Sequence, residues 1–383
     1  MKKLLFLQLL YLTSMIAYAQ KEVYSLNNLK ILIQDSIVYK DVLLGNINIP
    51  AIESGLASRQ NYNGNAIKYP IKIALDPGHS AFSFKEAVME ERFIQRASEK
   101  GKKGDIKFYE SELTMATAYL VKEMLERHGF HVMLTRENYM TSFDMTYSQW
   151  YKRSRRQQLE NDYLQGKITK DQFETYSQLG MKDLFIQYFN IVDLENRKKK
   201  VNLFNPDLTI IIHFNASEFQ ASEHIDAPIV GHNYSVSFIP GGFTNYELVS
   251  LTQAEDLRRL TSTDDIEKSL NLSNSILKQF ELAFGVAPIN PISHEVPWAN
   301  KFSTSSEFQG IFGRNLFLTR TIQSPLAYME PFLQNNQDFI YKLNERTMVV
   351  NGRKVSPLLQ TVARCYFNGV LDYLRNGKFS IEF

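Results

Sequence analysis

Three apolar runs in this 383-residue chain end on side chains able to do chemistry. "IALDPGHSAF" (73–82) presents His79 just after Pro77-Gly78, "LTIIIH" (208–213) closes on His213, and "PLAYME" (325–330) closes on Glu330. The chain has only seven histidines, so two at such positions ask for a reason. Two imidazoles and one carboxylate make the protein ligands of a hydrolytic zinc site whose fourth position stays open for water. The ion makes that water acidic and polarises the carbonyl under attack, while a carboxylate outside the ligand set moves the protons. Glu110 supplies the ligand carboxylate in this reading, and Glu330 suits the second role. Taken singly, each is ordinary: a histidine at a strand end is more often hydrogen-bonded and structural, and Asp-Pro-Gly is by itself a turn. A glutamate closing a strand usually faces solvent. Their joint placement carries the argument.

That placement rests on an alternation of strands and helices. "IKIALD" (71–76) is a continuous apolar strand stopped by Pro77-Gly78. "SELTMATAYLVKEMLERHG" (111–129) sets Leu113, Ala116, Leu120 and Met124 on one helical face, with Ser111 expected as N-cap and Gly129 as the stop. Further strands are expected at 130–136, 208–213, 234–240 and 325–330. Helices are expected within 140–201 and over 264–284 and 356–377. This order predicts an α/β fold: a mostly parallel twisted sheet with helices on both faces and functional residues at the carboxyl ends of the strands. His79, His213 and Glu330 fall at those ends, and Glu110 at a helix start on the same rim.

The composition, 44% hydrophobic and 22% charged, is that of a globular protein, and a net charge of +2 gives no reason to expect nucleic acid. The basic runs at 152–156 and 197–200 read as solvated helix faces. "MKKLLFLQLLYLTSMIAYAQ" has the n-region, h-region and Ala-x-Ala site of a secretory signal, with cleavage expected after Ala19. No later segment reaches the length of a membrane span. The protein is therefore expected to be exported, to the periplasm or cell envelope, and the mature form to have no membrane span. The single cysteine, Cys365, excludes an intrachain disulfide and a cysteine-based metal site. Residues 20–69 read as an N-terminal lead-in and linker, and 70–383 as the catalytic domain. Insertions interrupt that domain near 80–106, 139–195 and 218–265.

The runs "IALDPGH", "ESELTMATAYLVKEMLERHGFHVMLTRE", "LENRKKKVNLFNPDLTIIIHFNAS" and "RNLFLTRTIQSPLAYMEPFLQNNQDF" resemble, in order, the motifs of the type 3 N-acetylmuramoyl-L-alanine amidases. The resemblance spans about 70 to 377. It implies a zinc-dependent amidohydrolase with one Zn2+ ion, cutting the amide between N-acetylmuramic acid and L-alanine of peptidoglycan in cell-wall turnover or daughter-cell separation. Carried across, the zinc ligands fall on His79, Glu110 and His213 and the catalytic glutamate on Glu330. The family's arginine before the third motif falls on Arg197, and its asparagine after the second histidine on Asn215. Asp76 is expected to fix the turn or support His79 from behind.

The chain departs from the pattern in places. Ser80-Ala81 stand where the family has a glycine pair, and Pro331-Phe332 follow the catalytic glutamate. Glu112 competes with Glu110 as ligand; Glu110 is preferred because it matches the family position and because two steps along a helix turn a side chain away. Some members carry an inserted helix that plugs the zinc site until an activator protein displaces it. Segment length makes one insertion here a candidate lid; loops widening a substrate groove are the competing reading. A zinc peptidase acting on stem peptides would use the same ligand types, but His294-Glu295 lacks the second histidine of H-E-x-x-H. A non-catalytic wall-binding protein of the same fold would not need all four residues. His128, His131, His224, His232 and His294 read as structural or surface residues.

Overall fold

The computed structural model describes residues 31–33, 70–98, 104–217, 226–290 and 301–376; the signal segment, most of the lead-in, His224 and His294 lie outside them. A seven-stranded sheet runs through the molecule. In chain order its strands are β1 (Lys72–Pro77), β4 (His131–Leu134), β5 (Leu208–Ile212), β6 (Val236–Ile239), β7 (Thr304–Ser305), β8 (Ile311–Gly313) and β9 (Leu326–Glu330). Their spatial order is β4-β1-β5-β9-β6-β8-β7. β4, β1, β5 and β9 are mutually parallel, and β6 then runs antiparallel to β9. The fold is the expected α/β architecture with a mostly parallel sheet.

Both faces of the central strands are covered, which is why "IKIAL" and "LTIII" are apolar at every step rather than alternating. On one face Ile73, Leu75, Ile210, Ile212, Ala327 and Met329 form the main core. They pack there with helices α2 (Glu110–Arg127), α9 (Asp265–Phe284) and α12 (Leu358–Asn376). On the other, Ala74, Ile211 and Leu326 meet Val201 of α7 (Asn190–Phe204) and Leu318 of α10 (Phe317–Thr321). The crossing of α9 and α12 needs Gly369: a Cβ there would lie 2.6 Å from Ile276 Cα. Cys365 sits beside it in the core, 3% exposed.

Two segments between these elements have structure of their own. Residues 80–106 contain α1 (Phe84–Glu90) and β2 (Phe93–Arg96), which pairs antiparallel with β3 (Ile106–Tyr109) and leads straight into α2. The 139–195 segment holds α3 (Tyr147–Arg153), α4 (Arg155–Leu164), α5 (Lys170–Gln178) and α6 (Met181–Leu184), followed by a π-helical turn at Phe185–Phe189. It gathers its own small core around Tyr147, Trp150, Phe185 and Phe189. Neither the β2–β3 hairpin nor α8 (Leu251–Thr261) is foreseen in the sequence reading. From the lead-in, Ile31 and Leu32 are buried in the main core, and their carbonyls accept the Gly242 and Phe243 N–H groups at 2.7 and 2.8 Å.

Candidate active site

The loop that ends β1 is held from behind. Pro77 offers no N–H, Gly78 donates to the Ile212 carbonyl at 2.9 Å, and His79 adopts a left-handed backbone with φ 60°. A side-chain-bearing residue in that region carries strain of order 1 kcal/mol or more and persists only where its surroundings over-determine it. Two buried arginines do so here. Arg136 donates to the Pro77 and Gly78 carbonyls at 2.8 and 2.9 Å. Arg197 donates to Pro77 at 2.9 Å and also to the His79 carbonyl. The Arg197 charge is in turn met by Asp193 at 2.8 Å and Asp76 at 3.4 Å. Asp76 thus reaches His79 only through Arg197 and the turn; its other partner is the Thr135 hydroxyl.

Glu110 lies between the two imidazoles. The β2–β3 hairpin delivers it as the first residue of α2, with its N–H bound to the Arg92 carbonyl at 3.2 Å. One carboxylate oxygen is 3.0 Å from His79 Nε2; the other is 3.0 Å from His213 Nδ1 and accepts the Phe214 N–H at 3.0 Å. Its place at a helix N-terminus favours the ionised form. The N-cap is Tyr109, without a side-chain cap bond, and not the expected Ser111. The Ser111 hydroxyl is bound by Arg136 instead, at 3.1 Å. Glu112 points elsewhere, pairing with Arg346 at 2.6 Å and Arg353 at 3.8 Å.

His213 follows β5, and its N–H donates to the Met329 carbonyl at 2.9 Å, which brings the end of β9 alongside. Its ring stacks on Tyr328 at 4.4 Å and 9°. Tyr328 and Glu330 are two apart on one strand and share a face. The opposite side of the His213 ring lies on Gly78, where an added Cβ would be 2.2 Å from Nε2. That glycine is therefore part of the site and not merely of the turn. Beyond Glu330, Phe332 is buried and stacks on Phe339 at 4.3 Å, anchoring the strand end that Pro331 begins.

The electrostatics follow from burial. Burial alone would raise Glu110, but attraction to His79 and hydrogen bonds from both imidazoles hold it far below the ordinary carboxylate range. His79 is raised to about 9, since Glu110 and Glu90 outweigh its desolvation. His213 is lowered, first by burial and then by repulsion from His79. Glu330 is pushed up to about 8, by burial and then by the Glu110 charge, against the pull of Arg314, His79 and Arg92. Its Oε2 is buried without a hydrogen-bond partner among the described residues. A carboxyl poised to hold or release a proton near neutrality is suited to acid–base work.

His79, Glu110 and His213 offer one donor atom each within 4.8 Å of one another. Two imidazole nitrogens and a carboxylate oxygen at that spacing fit a divalent ion of the zinc type, and among the described residues this is the group that could hold one. Asn215 stands two residues beyond His213; its amide lies 3.3 Å from the Tyr234 hydroxyl and its carbonyl accepts the Gln334 N–H at 2.7 Å. His128 and His131 sit at a helix end and a strand start as expected, and His232 lies 3.0 Å from Ser217 Oγ. Sequence reasoning misses Arg136, Tyr328 and Glu90, all of which touch the site. The period-two step from Glu330 could have found Tyr328; nothing in the inserted segment singles out Glu90.

Fold and cluster together define an α/β protein with a His-Glu-His group at the carboxyl edge of a parallel sheet. The chain belongs to the N-acetylmuramoyl-L-alanine amidase family, whose model matches residues 73–352. It is a hydrolase of the peptidoglycan amidase class. Solved structures similar to it include the CwlD amidase from Clostridioides difficile in complex with the GerS lipoprotein, at 16% identity and a TM-score of 0.41, over 80% of this chain and 99% of that one. The amidase Ami1 from Mycobacterium smegmatis is 13% identical with a TM-score of 0.40, over 80% and 97%. The catalytic domain of CwlV from Bacillus (Paenibacillus) polymyxa var. colistinus is 15% identical with a TM-score of 0.36, over 80% and 98%. No curated protein matches the chain.

Proposed function

We propose that this chain is a zinc-dependent N-acetylmuramoyl-L-alanine amidase that hydrolyses the amide between N-acetylmuramic acid and L-alanine, in cell-wall turnover or daughter-cell separation. The observation that carries the reading is the convergence of His79, Glu110 and His213 within 4.8 Å beside a carboxyl, Glu330, whose proton affinity burial and the Glu110 charge raise toward neutrality, so that it can both take and give a proton there. The three would hold one zinc ion. Bound zinc supplies polarisation of the lactyl carbonyl and a water acidified toward neutrality. Glu330, ionised for the first step, takes the proton of the attacking water; protonated in the second, it returns that proton to the departing L-alanine nitrogen. Water is the nucleophile, so no side chain is acylated. Arg136 and Arg197 keep the His79 loop in its strained conformation, and Tyr328 and Gly78 fix the His213 ring between them.

Around this core the proposal extends to the whole chain. Residues 1–19 direct export to the periplasm or cell envelope, 20–69 precede the enzyme, and 70–383 form the catalytic domain. One insertion acts as a lid that an activator protein relieves. Deleting each insertion in turn should raise basal hydrolysis in one case; no rise in any of the three would remove the lid from the proposal. The enzyme itself is tested by metal analysis of the purified protein together with mass spectrometry of digested cell wall. Stoichiometric zinc and released stem peptides beginning with free L-alanine are expected. Cleavage within the stem peptide, or none, would refute the assignment.

A further inference from the structure

Glu90 is the last residue of α1, inside a segment that the family motifs do not contain. Its carboxylate is buried, and one oxygen lies 3.1 Å from His79 Nδ1, the ring nitrogen turned away from Glu110. The same carboxylate accepts the Ser80 N–H at 3.1 Å and the Ala81 N–H at 3.2 Å. Ser80 and Ala81 are the two residues standing where the family has glycines, and neither takes a positive φ. Glu90 and these two residues therefore form one unit: a carboxylate gathers the N–H groups of a loop whose backbone needs no glycine there.

We propose that Glu90 is a positioning residue for the metal site, holding the His79 imidazole in the tautomer and orientation that present Nε2 toward Glu110. A histidine that binds a metal through one nitrogen commonly donates its other N–H to a carboxylate, which fixes the ring and makes it a better ligand. Helix α1 is itself tied down at its other end. Glu86 accepts the Ser148 N–H at 2.9 Å and its hydroxyl at 2.6 Å, and makes no contact with His79.

This inference rests on the zinc reading, and the experiment separates the two. Zinc affinity of the purified full-length protein is measured by chelator competition for wild type, Glu90→Gln, Glu90→Ala, Glu90→Asp and Glu86→Gln, with thermal unfolding of each metal-free form. Glu90→Gln and Glu90→Ala should bind zinc about 10–100-fold more weakly, the range for loss of such a partner. Glu90→Asp should recover part of the loss. Glu86→Gln, which loosens the same helix without touching His79, should lower the unfolding temperature and leave zinc affinity within about threefold. Zinc affinity unchanged in Glu90→Ala, or lowered equally by Glu86→Gln, would overturn the inference while leaving the zinc site intact. A wild-type protein that took up no zinc would overturn the proposed function, and this role with it.

Discussion

Gly78→Ala is the substitution that asks most of the site. Gly78 does not have a positive φ, so alanine there meets no backbone penalty and would ordinarily stabilise by about 0.4–1 kcal/mol through the unfolded chain. Its Cβ, however, would lie 2.2 Å from His213 Nε2 and 2.3 Å from Cε1. Restoring an ordinary contact requires moving the ring by about 1 Å, and misplacement on that scale is worth about 100-fold in rate. Two contacts restrain the ring. It is stacked on Tyr328 at 4.4 Å and held to Glu110 at 3.0 Å. The expected outcome is a folded protein with unchanged circular dichroism, weakened zinc binding and an amidase rate on purified peptidoglycan reduced about 100-fold. Activity and zinc affinity both within threefold of wild type would refute the claim that Gly78 is retained for the His213 ring.

Four other outcomes follow from the same contacts. Glu330→Gln should keep zinc binding and lose about 100–10,000-fold in hydrolysis, measured on purified peptidoglycan, because it removes the group that moves the protons. In metal-free protein the raised Glu330 value means its stabilising contribution is full below the ordinary carboxyl value of 4.5 and is lost as pH rises through about 8. Urea unfolding across that window should show a slope that Glu330→Gln flattens. Arg197→Ala strands Asp76 and Asp193 in the interior and should cost about 3–5 kcal/mol in the same urea assay. Cys365, its thiol pushed up to about 12 by burial, should resist thiol reagents at neutral pH until the chain is unfolded.

The strands and long helices were legible because burial on two faces leaves an unbroken apolar run and burial on one leaves a helical stripe. "LTIIIH" yields β5 at Leu208–Ile212 and "PLAYME" yields β9 at Leu326–Glu330 for the first reason; α2 and α12 emerge for the second. His79, Glu110 and His213 could be brought together on paper because parallel strands share one carboxyl edge. What stayed hidden depends on contacts far apart in sequence. Arg136 looks like the charged end of a strand, yet it is fully buried and fastens carbonyls 58 residues and more away. The β2–β3 hairpin is too short and too mixed in composition to announce itself, although it is what sets Glu110 at a helix start.

The insertion near 80–106 therefore changes meaning. From the sequence it is surplus length between two ligands. In the fold its first half supplies Glu90 behind His79, and its second half holds β2, the antiparallel partner of the strand that runs into Glu110. Both ends of the segment thus converge on the same pair of side chains, 3.0 Å apart. The residues that depart from the family motif, Ser80 and Ala81, are the ones whose N–H groups this segment binds. In this chain the two residues that follow His79, where the family motif has glycines, are held by the carboxylate that ends α1.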